Sequence, residues 1–230
     1  MKIFNKERRL TPSWDLLAPS MELVKKYIWH VMYLSFLPGL VLTVGIVLLG
    51  ENPDNIDLNS SRASAGFSIL LVAGLWSILT FPGFIYMQTK AVQGKEVGVM
   101  ESFQKGLPRL LPLIGMMLVA AMLILLGLIA FIVPGLILIR GFYLAPYYVI
   151  DQQLGPIQAL KRSYRETTPV SAWVWGAIGV ELVFGIVASI LGKIAVVGYL
   201  LSVAASYPYI FGSALRYGEV VKKIKMPVKV

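Results

Sequence analysis

Apolar residues fill this chain in long runs, and polar residues gather in the segments between them. A helix needs about 20 mostly apolar residues to cross the hydrocarbon core of a bilayer. Six runs meet or approach that length: roughly 27–50, 66–89, 110–132, 135–151, 171–191 and 194–215. Gly and Pro inside them are no objection, because neighbouring helices re-satisfy the backbone groups they free. The pattern predicts an all-α polytopic membrane protein with six transmembrane helices. A basic cytoplasmic segment with an amphipathic helix (1–26) precedes a single six-helix domain (27–215), and a basic cytoplasmic tail (216–230) follows it. The fourth run is the shortest, with a tight turn at "FIVPG" before it.

The segments ahead of the odd-numbered runs share a second pattern. "PSMELVKKYIWHVMYLSFL", "GVMESFQKGLPRLLPLIGM" and "GPIQALKRSYRETTPVSAW" each begin with Pro or Gly, then place apolar residues at helical spacing among Lys and Arg. In the second these are Val99, Met100, Phe103 and Leu107; in the third, Ile157, Leu160 and Tyr164. Such spacing predicts short amphipathic helices at the membrane interface, their basic side chains snorkelling to the headgroups. The recurrence predicts a threefold repeat of a surface helix plus a helical hairpin, with Glu22, Glu101 and Gln158 in register. A Φ-Pro-Gly-Φ step also recurs, as "LPGL", "FPGF" and "VPGL", at no fixed place in the unit.

Composition agrees with the pattern. Of the 230 residues 57% are hydrophobic and only 14% charged, with a mean hydropathy of +0.74. A soluble domain carries about 25% charged residues, so lipid must solvate much of this surface. The net charge is +9. Of the 21 Lys and Arg residues, 18 fall in the N-terminal segment, the 2–3 and 4–5 connections and the C-terminal end. Only Arg62 and Lys193 lie on the opposite side, and Arg140 lies within the fourth run. The positive-inside rule then puts both termini in the cytoplasm. The same scatter over four juxtamembrane segments excludes a nucleic-acid interface. Lys105, Arg109, Lys161, Arg162 and Arg165 are the candidate headgroup contacts, each attracted to an anionic leaflet by about 1 kcal/mol. The basic N-terminus meets polar residues and two prolines rather than an apolar core, which is not the plan of a secretory signal.

Candidate chemistry is sparse. There is no cysteine and one histidine, His30, so no thiolate or multi-histidine metal site is expected. No phosphate loop, dinucleotide fingerprint, nucleophile elbow, zinc-protease motif or calcium loop is present. The sequence therefore predicts neither an enzyme nor a cofactor. Two ionisable residues stand deep in the runs: Arg140 in the fourth and Glu181 in the fifth. A charge at mid-bilayer costs roughly 2.5–3.5 kcal/mol on insertion scales, and their depths permit an interhelical pair. Two readings stay open: a structural ion pair completed by Tyr143, Tyr147 or Tyr148, or a ligand or proton site. His30, between Trp29 and Tyr33, falls at the depth of an aromatic belt. Asp151 is expected to cap the next surface helix or to answer Lys161 and Arg162.

The stretch "VPGLILIRGFYLAPYYVIDQQLGPIQALKRSYRET" resembles the signature of the YciC-like bacterial membrane proteins. It is similar also to the membrane domain attached to some glycerophosphodiester phosphodiesterases. The matching positions are Pro134, Gly135, Arg140, Ala145, Pro146, Asp151, Leu154, Gly155, Pro156, Ala159, Leu160, Arg162 and Ser163. The resemblance implies a six-span protein of the bacterial cytoplasmic membrane. It implies no activity, because the catalytic acids and histidines of those phosphodiesterases have no counterpart here. The expected function is a non-enzymatic, lipid-interacting scaffold or envelope-maintenance role, with anionic membrane lipids as partners. The alternative is a transporter or channel lined by Arg140 and Glu181. Small residues at Gly176 and Gly179, or Ala204 and Ala205, permit close helix contact within one chain, in a homo-oligomer or with another membrane protein.

Overall fold

In the computed structural model, which describes residues 10–49, 60–192, 201–202 and 205–222, the apolar runs fold as helices and no strand occurs among the described residues. The helices are α1 (Leu17–Lys26), α2 (Ile28–Val31), α3 (Leu37–Leu49), α4 (Ser61–Val92), α5 (Val99–Gly106) and α6 (Leu110–Ala130). They continue as α7 (Ile132–Phe142), α8 (Ala145–Asp151), α9 (Pro156–Thr167), α10 (Ser171–Leu191) and α11 (Gly212–Tyr217). Five stretches are long and apolar enough to cross a membrane: Ile28–Ile46, Ser61–Val92, Val99–Ala130, Ile132–Asp151 and Pro156–Leu191. Of the sixth run, 194–215, residues 194–200 and 203–204 lie outside the described residues.

Proline shapes these helices in three ways, set by what each position demands of a backbone N–H. Pro38 cannot donate to the carbonyl four residues back and its ring crowds that turn; the helix widens just before it into a π-helical segment, Met32–Phe36. Pro108 and Pro169 instead sit in 3-10 turns (Leu107–Arg109 and Thr168–Val170) that join α5 to α6 and α9 to α10. Pro82 lies inside α4 without ending it. The Pro-Gly steps are thus not chain breaks.

The fourth run corrects the sequence reading twice. Its turn is not "FIVPG": the extended residue Phe131 alone separates α6 from α7, and Pro134 and Gly135 are helical. Proline costs nothing in a first turn, where no N–H partner is needed. Gly135 lets α7 lie against α6, since a Cβ there would come within 2.4 Å of the Leu128 side chain and 2.8 Å of its backbone N. The run is then interrupted at Tyr143–Leu144, between α7 and α8, with Pro146 in the first turn of α8.

Helix α3 packs along α4 and α6 along α7, while the core lies toward one end of the bundle. Ile85 and Met87 of α4, Tyr147 to Ile150 of α8, and Tyr209, Phe211, Leu215 and Tyr217 are buried there. At the other end Leu126, Ile129, Phe131 and Ile132 are exposed, as lipid-facing residues should be.

The three short helices ahead of the odd runs dock chiefly by small residues. Ser20 of α1, Ser102 of α5 and Ser163 of α9 are each 0% exposed. One helical turn on, Val24, Gly106 and Thr167 are buried too. Of the apolar residues singled out above, Leu160 is also buried, while Ile157, Tyr164 and Met100 are exposed. Helix α5 docks on α4 through Gly106, whose Cβ would stand 2.5 Å from the Gly83 backbone nitrogen. Helix α9 docks on α7 and α8, and α1 on the turn Tyr207–Tyr209.

Candidate functional site

The interruption in the fourth run leaves backbone groups that a helix would have paired, and α9 supplies their partners. Ser163 Oγ donates to the Gly141 carbonyl at 2.6 Å and accepts from the Leu144 N–H at 3.2 Å. Thr167 Oγ1, one turn later, lies 3.4 Å from the same Gly141 carbonyl. Ser20 makes a comparable contact, accepting from the Phe211 N–H at 3.2 Å. Non-helical backbone at membrane depth is tolerated only when so covered.

Arg140 and Glu181 do not pair with each other, contrary to the sequence reading. Glu181 accepts from the Tyr143 hydroxyl at 2.6 Å. Arg140 is 9% exposed, and its guanidinium turns toward the α9–α10 junction. There Nη2 lies 3.4 Å from Thr168 Oγ1 and Cζ sits 5.9 Å from the Tyr164 ring centre. Its Nε is buried without a hydrogen-bond partner. No carboxylate oxygen comes within 4.0 Å of it among the described residues. The stem of an arginine spans several ångströms, so the backbone depth of Arg140 does not fix the depth of its charge.

Two polar hubs that sequence spacing could not reveal hold the buried end together. Asp151 neither caps α9 nor meets Lys161 or Arg162. It binds Lys222 Nζ at 2.6 Å and Lys90 Nζ at 3.6 Å, and accepts from Gln93 at 3.1 Å and the Tyr217 hydroxyl at 2.8 Å. Burial and the adjacent Asp151 carboxylate push the Tyr217 phenol upward, which keeps it a proton donor. The second hub is Arg216, read from sequence as the start of a tail but 0% exposed. Its Nη1 pairs with Glu219 at 2.7 Å and donates to the Thr11 carbonyl at 3.0 Å, while Nη2 reaches Ser13 Oγ at 3.0 Å. The Thr11 N–H and hydroxyl donate to Glu219 in turn. The N-terminal segment is thereby bound to the C-terminal one.

Among the headgroup candidates, Arg109 donates to Gln153 Oε1 at 2.5 Å and Arg162 pairs with Glu166 at 3.3 Å. Lys105, Lys161 and Arg165 are exposed. Gly155 and Pro156 start α9, the glycine extended at its N-cap and the proline in its first turn. Ala145 is fully buried at the start of α8. His30 is more than a belt residue: its Nε2 lies 2.7 Å from the Val97 carbonyl, tying α2 to the α4–α5 connection.

A cleft of about 730 Å³ opens where the Met32–Phe36 segment, α4 and α5 meet. Tyr33, Leu75, Trp76, Leu79, Met100 and Phe103 are among its lining residues, and neither Arg140 nor Glu181 reaches it. Tyr33, Leu75, Leu79 and Met100 are exposed, so the cleft is open along its side. The hydroxyl of Thr80 in its wall is engaged with the Trp76 carbonyl at 2.9 Å. Trp29 stacks on Tyr33 nearby, ring centres 6.5 Å apart. Among the described residues no group of three or more His, Asp or Glu side chains is placed to hold a metal ion.

These features define a class, an all-helical protein with several helices suited to crossing a membrane. No family model, curated protein or solved structure matches the chain.

Proposed function

We propose that the protein is a non-enzymatic, lipid-interacting scaffold of the bacterial cytoplasmic membrane that seats a lipid acyl chain in the cleft between the Met32–Phe36 segment, α4 and α5. The cleft itself carries the reading. Its volume falls in the range of small-molecule sites, about 300–1,000 Å³. Its wall is apolar, and it opens sideways between segments long and apolar enough to lie in a bilayer. In that setting the occupant at hand is a hydrocarbon chain, since the lining is almost wholly apolar and its one Thr hydroxyl is internally bonded. The transport alternative routes a solute past Arg140 and Glu181, which have separate partners and lie outside this cleft.

The reading includes six spans, both termini in the cytoplasm and a threefold repeat. The buried serines at 20, 102 and 163 support the repeat, in a register one to five residues from Glu22, Glu101 and Gln158. The YciC-like resemblance supports the location.

Trp76, in the cleft wall, is the reporter for a test. With Trp14, Trp29, Trp173 and Trp175 replaced by Phe, a phosphatidylglycerol with brominated chains in detergent micelles should quench Trp76 saturably. Met100→Trp, measured with the brominated lipid bound competitively against its unbrominated form, should weaken that binding. Quenching that rises only in proportion to the bromolipid content of the micelle would mean an ordinary lipid-facing surface.

A further inference from the structure

We infer that Arg140, at the junction of α7, α9 and α10, is a binding site for a phosphate group, borne by a membrane phospholipid or free in solution. Three observations lead there. The first is incomplete pairing. A guanidinium carries five N–H donors, yet among the described residues Arg140 makes one hydrogen bond, a long one of 3.4 Å to Thr168, and its Nε is buried without a partner. The carboxylates carried by the flanking helices are taken: Glu166 of α9 by Arg162, Glu181 of α10 by Tyr143. A charge this buried and this little compensated calls for an anion, and a planar fork suits phosphate oxygens.

The second is depth. Helix α10 has 21 residues, about 31 Å at 1.5 Å per residue, which matches the ~30 Å hydrocarbon core. Thr168 stands three residues before it, where headgroups lie. The guanidinium beside Thr168 is therefore at phosphate level, although its Cα belongs to a spanning helix. The third is the approach. Lys161 and Arg165 of α9 and Thr168 of the 3-10 turn that follows it stand at intervals of four and three residues and share a face, and all three are exposed. Neither Lys161 nor Arg165 has a carboxylate oxygen within 4.0 Å among the described residues. They form a positive track that ends at Arg140. Gly141 completes the site: a Cβ there would come within 2.3 Å of Tyr164 and displace the ring on which the guanidinium lies.

This inference deepens the lipid-binding reading but uses a different part of the molecule, and the ligands below separate the two. Thermal unfolding of the full chain in maltoside detergent is followed with dioleoylphosphatidylglycerol, with dioleoylglycerol (the same chains without phosphate) and with inorganic phosphate. Phosphatidylglycerol should raise Tm more than dioleoylglycerol does, increasing with concentration as mass action requires. If phosphate alone reproduces the shift, the source is a free anion; if only the lipid does, it is the headgroup. Arg140→Gln should weaken the apparent affinity about tenfold or more. Arg140→Lys keeps the charge without the fork, and Arg165→Gln alters only an exposed side chain, so both stay informative if Arg140→Gln does not fold. Equal shifts from the two lipids with none from phosphate, or affinities in Arg140→Lys and Arg165→Gln indistinguishable from wild type, would overturn the site. A shift from dioleoylglycerol that is blocked by Met100→Trp bears on the cleft alone.

Discussion

Arg140 and Arg216 show how the same side chain takes opposite roles according to what surrounds it. Arg216 is fully enclosed, with Glu219, the Thr11 carbonyl and the Ser13 hydroxyl around its two terminal nitrogens. Removing one member of such a pair strands a buried charge, at a cost of about 3–5 kcal/mol, whereas removing both is far milder. Arg216→Met is therefore expected to lower Tm steeply in detergent, and Arg216→Met with Glu219→Leu to recover most of the loss. A double variant as unstable as the single would show that Thr11 and Ser13, rather than the ion pair, determine the cost. Arg140 lacks that enclosure. The sequence reading put Arg216 at the start of a tail, and it assigned Arg140 a partner from depth alone. Depth counted at Cα ignores a long flexible stem, and Tyr143, nearer to Glu181, was there to take the carboxylate.

At the scale of elements, the short helices act as fasteners for interrupted backbone. Ser163 serves one free carbonyl and one free N–H at the α7–α8 break. Ser163→Ala should destabilise the protein by about 1–3 kcal/mol, the cost of stranding buried polar groups, and amide hydrogen exchange at Leu144 should quicken. Unchanged exchange there would mean that water replaces the serine. Gly106→Ala tests the α5–α4 contact. Backbone blocks the new methyl group, so the helices must separate at a cost of about 1–3 kcal/mol. That variant should also widen the neighbouring cleft and alter Trp76 fluorescence. Amphipathic spacing in the sequence located all three helices but did not say which of their residues meet protein and which meet lipid. In a membrane protein large apolar residues have lipid as well as protein to face, so size no longer marks the inside, and small residues mark close contact.

For the whole molecule, the proposed orientation rests on charge and is open to a direct measurement, because the chain has no cysteine and any introduced one is unique. Ser61→Cys, at the start of α4, should react with an impermeant maleimide in intact cells. Glu96→Cys and Lys161→Cys should react only after the membrane is opened. The reverse pattern would invert the proposed topology. The Glu96 site is suitable because its side chain is 79% exposed. The two hubs tie the basic segments together: Asp151 joins α4, α8 and the C-terminal segment, and Arg216 joins both terminal segments. The basic end of the molecule is thus where its packing and ion pairs concentrate, while the opposite end is left to lipid.

By itself, the sequence determined the helical class, the position of the membrane-suited runs and the short helices between them. Those follow from transfer of apolar side chains and from helical periodicity, which are local along the chain. Tertiary structure alone decided which side of each short helix is buried, that the fourth run is interrupted and stitched by Ser163, and that Asp151 and Arg216 are hubs. It also separated Arg140 from Glu181. Each of these depends on atoms brought together across 19 to 208 positions of sequence, and no periodicity within one helix encodes such a meeting.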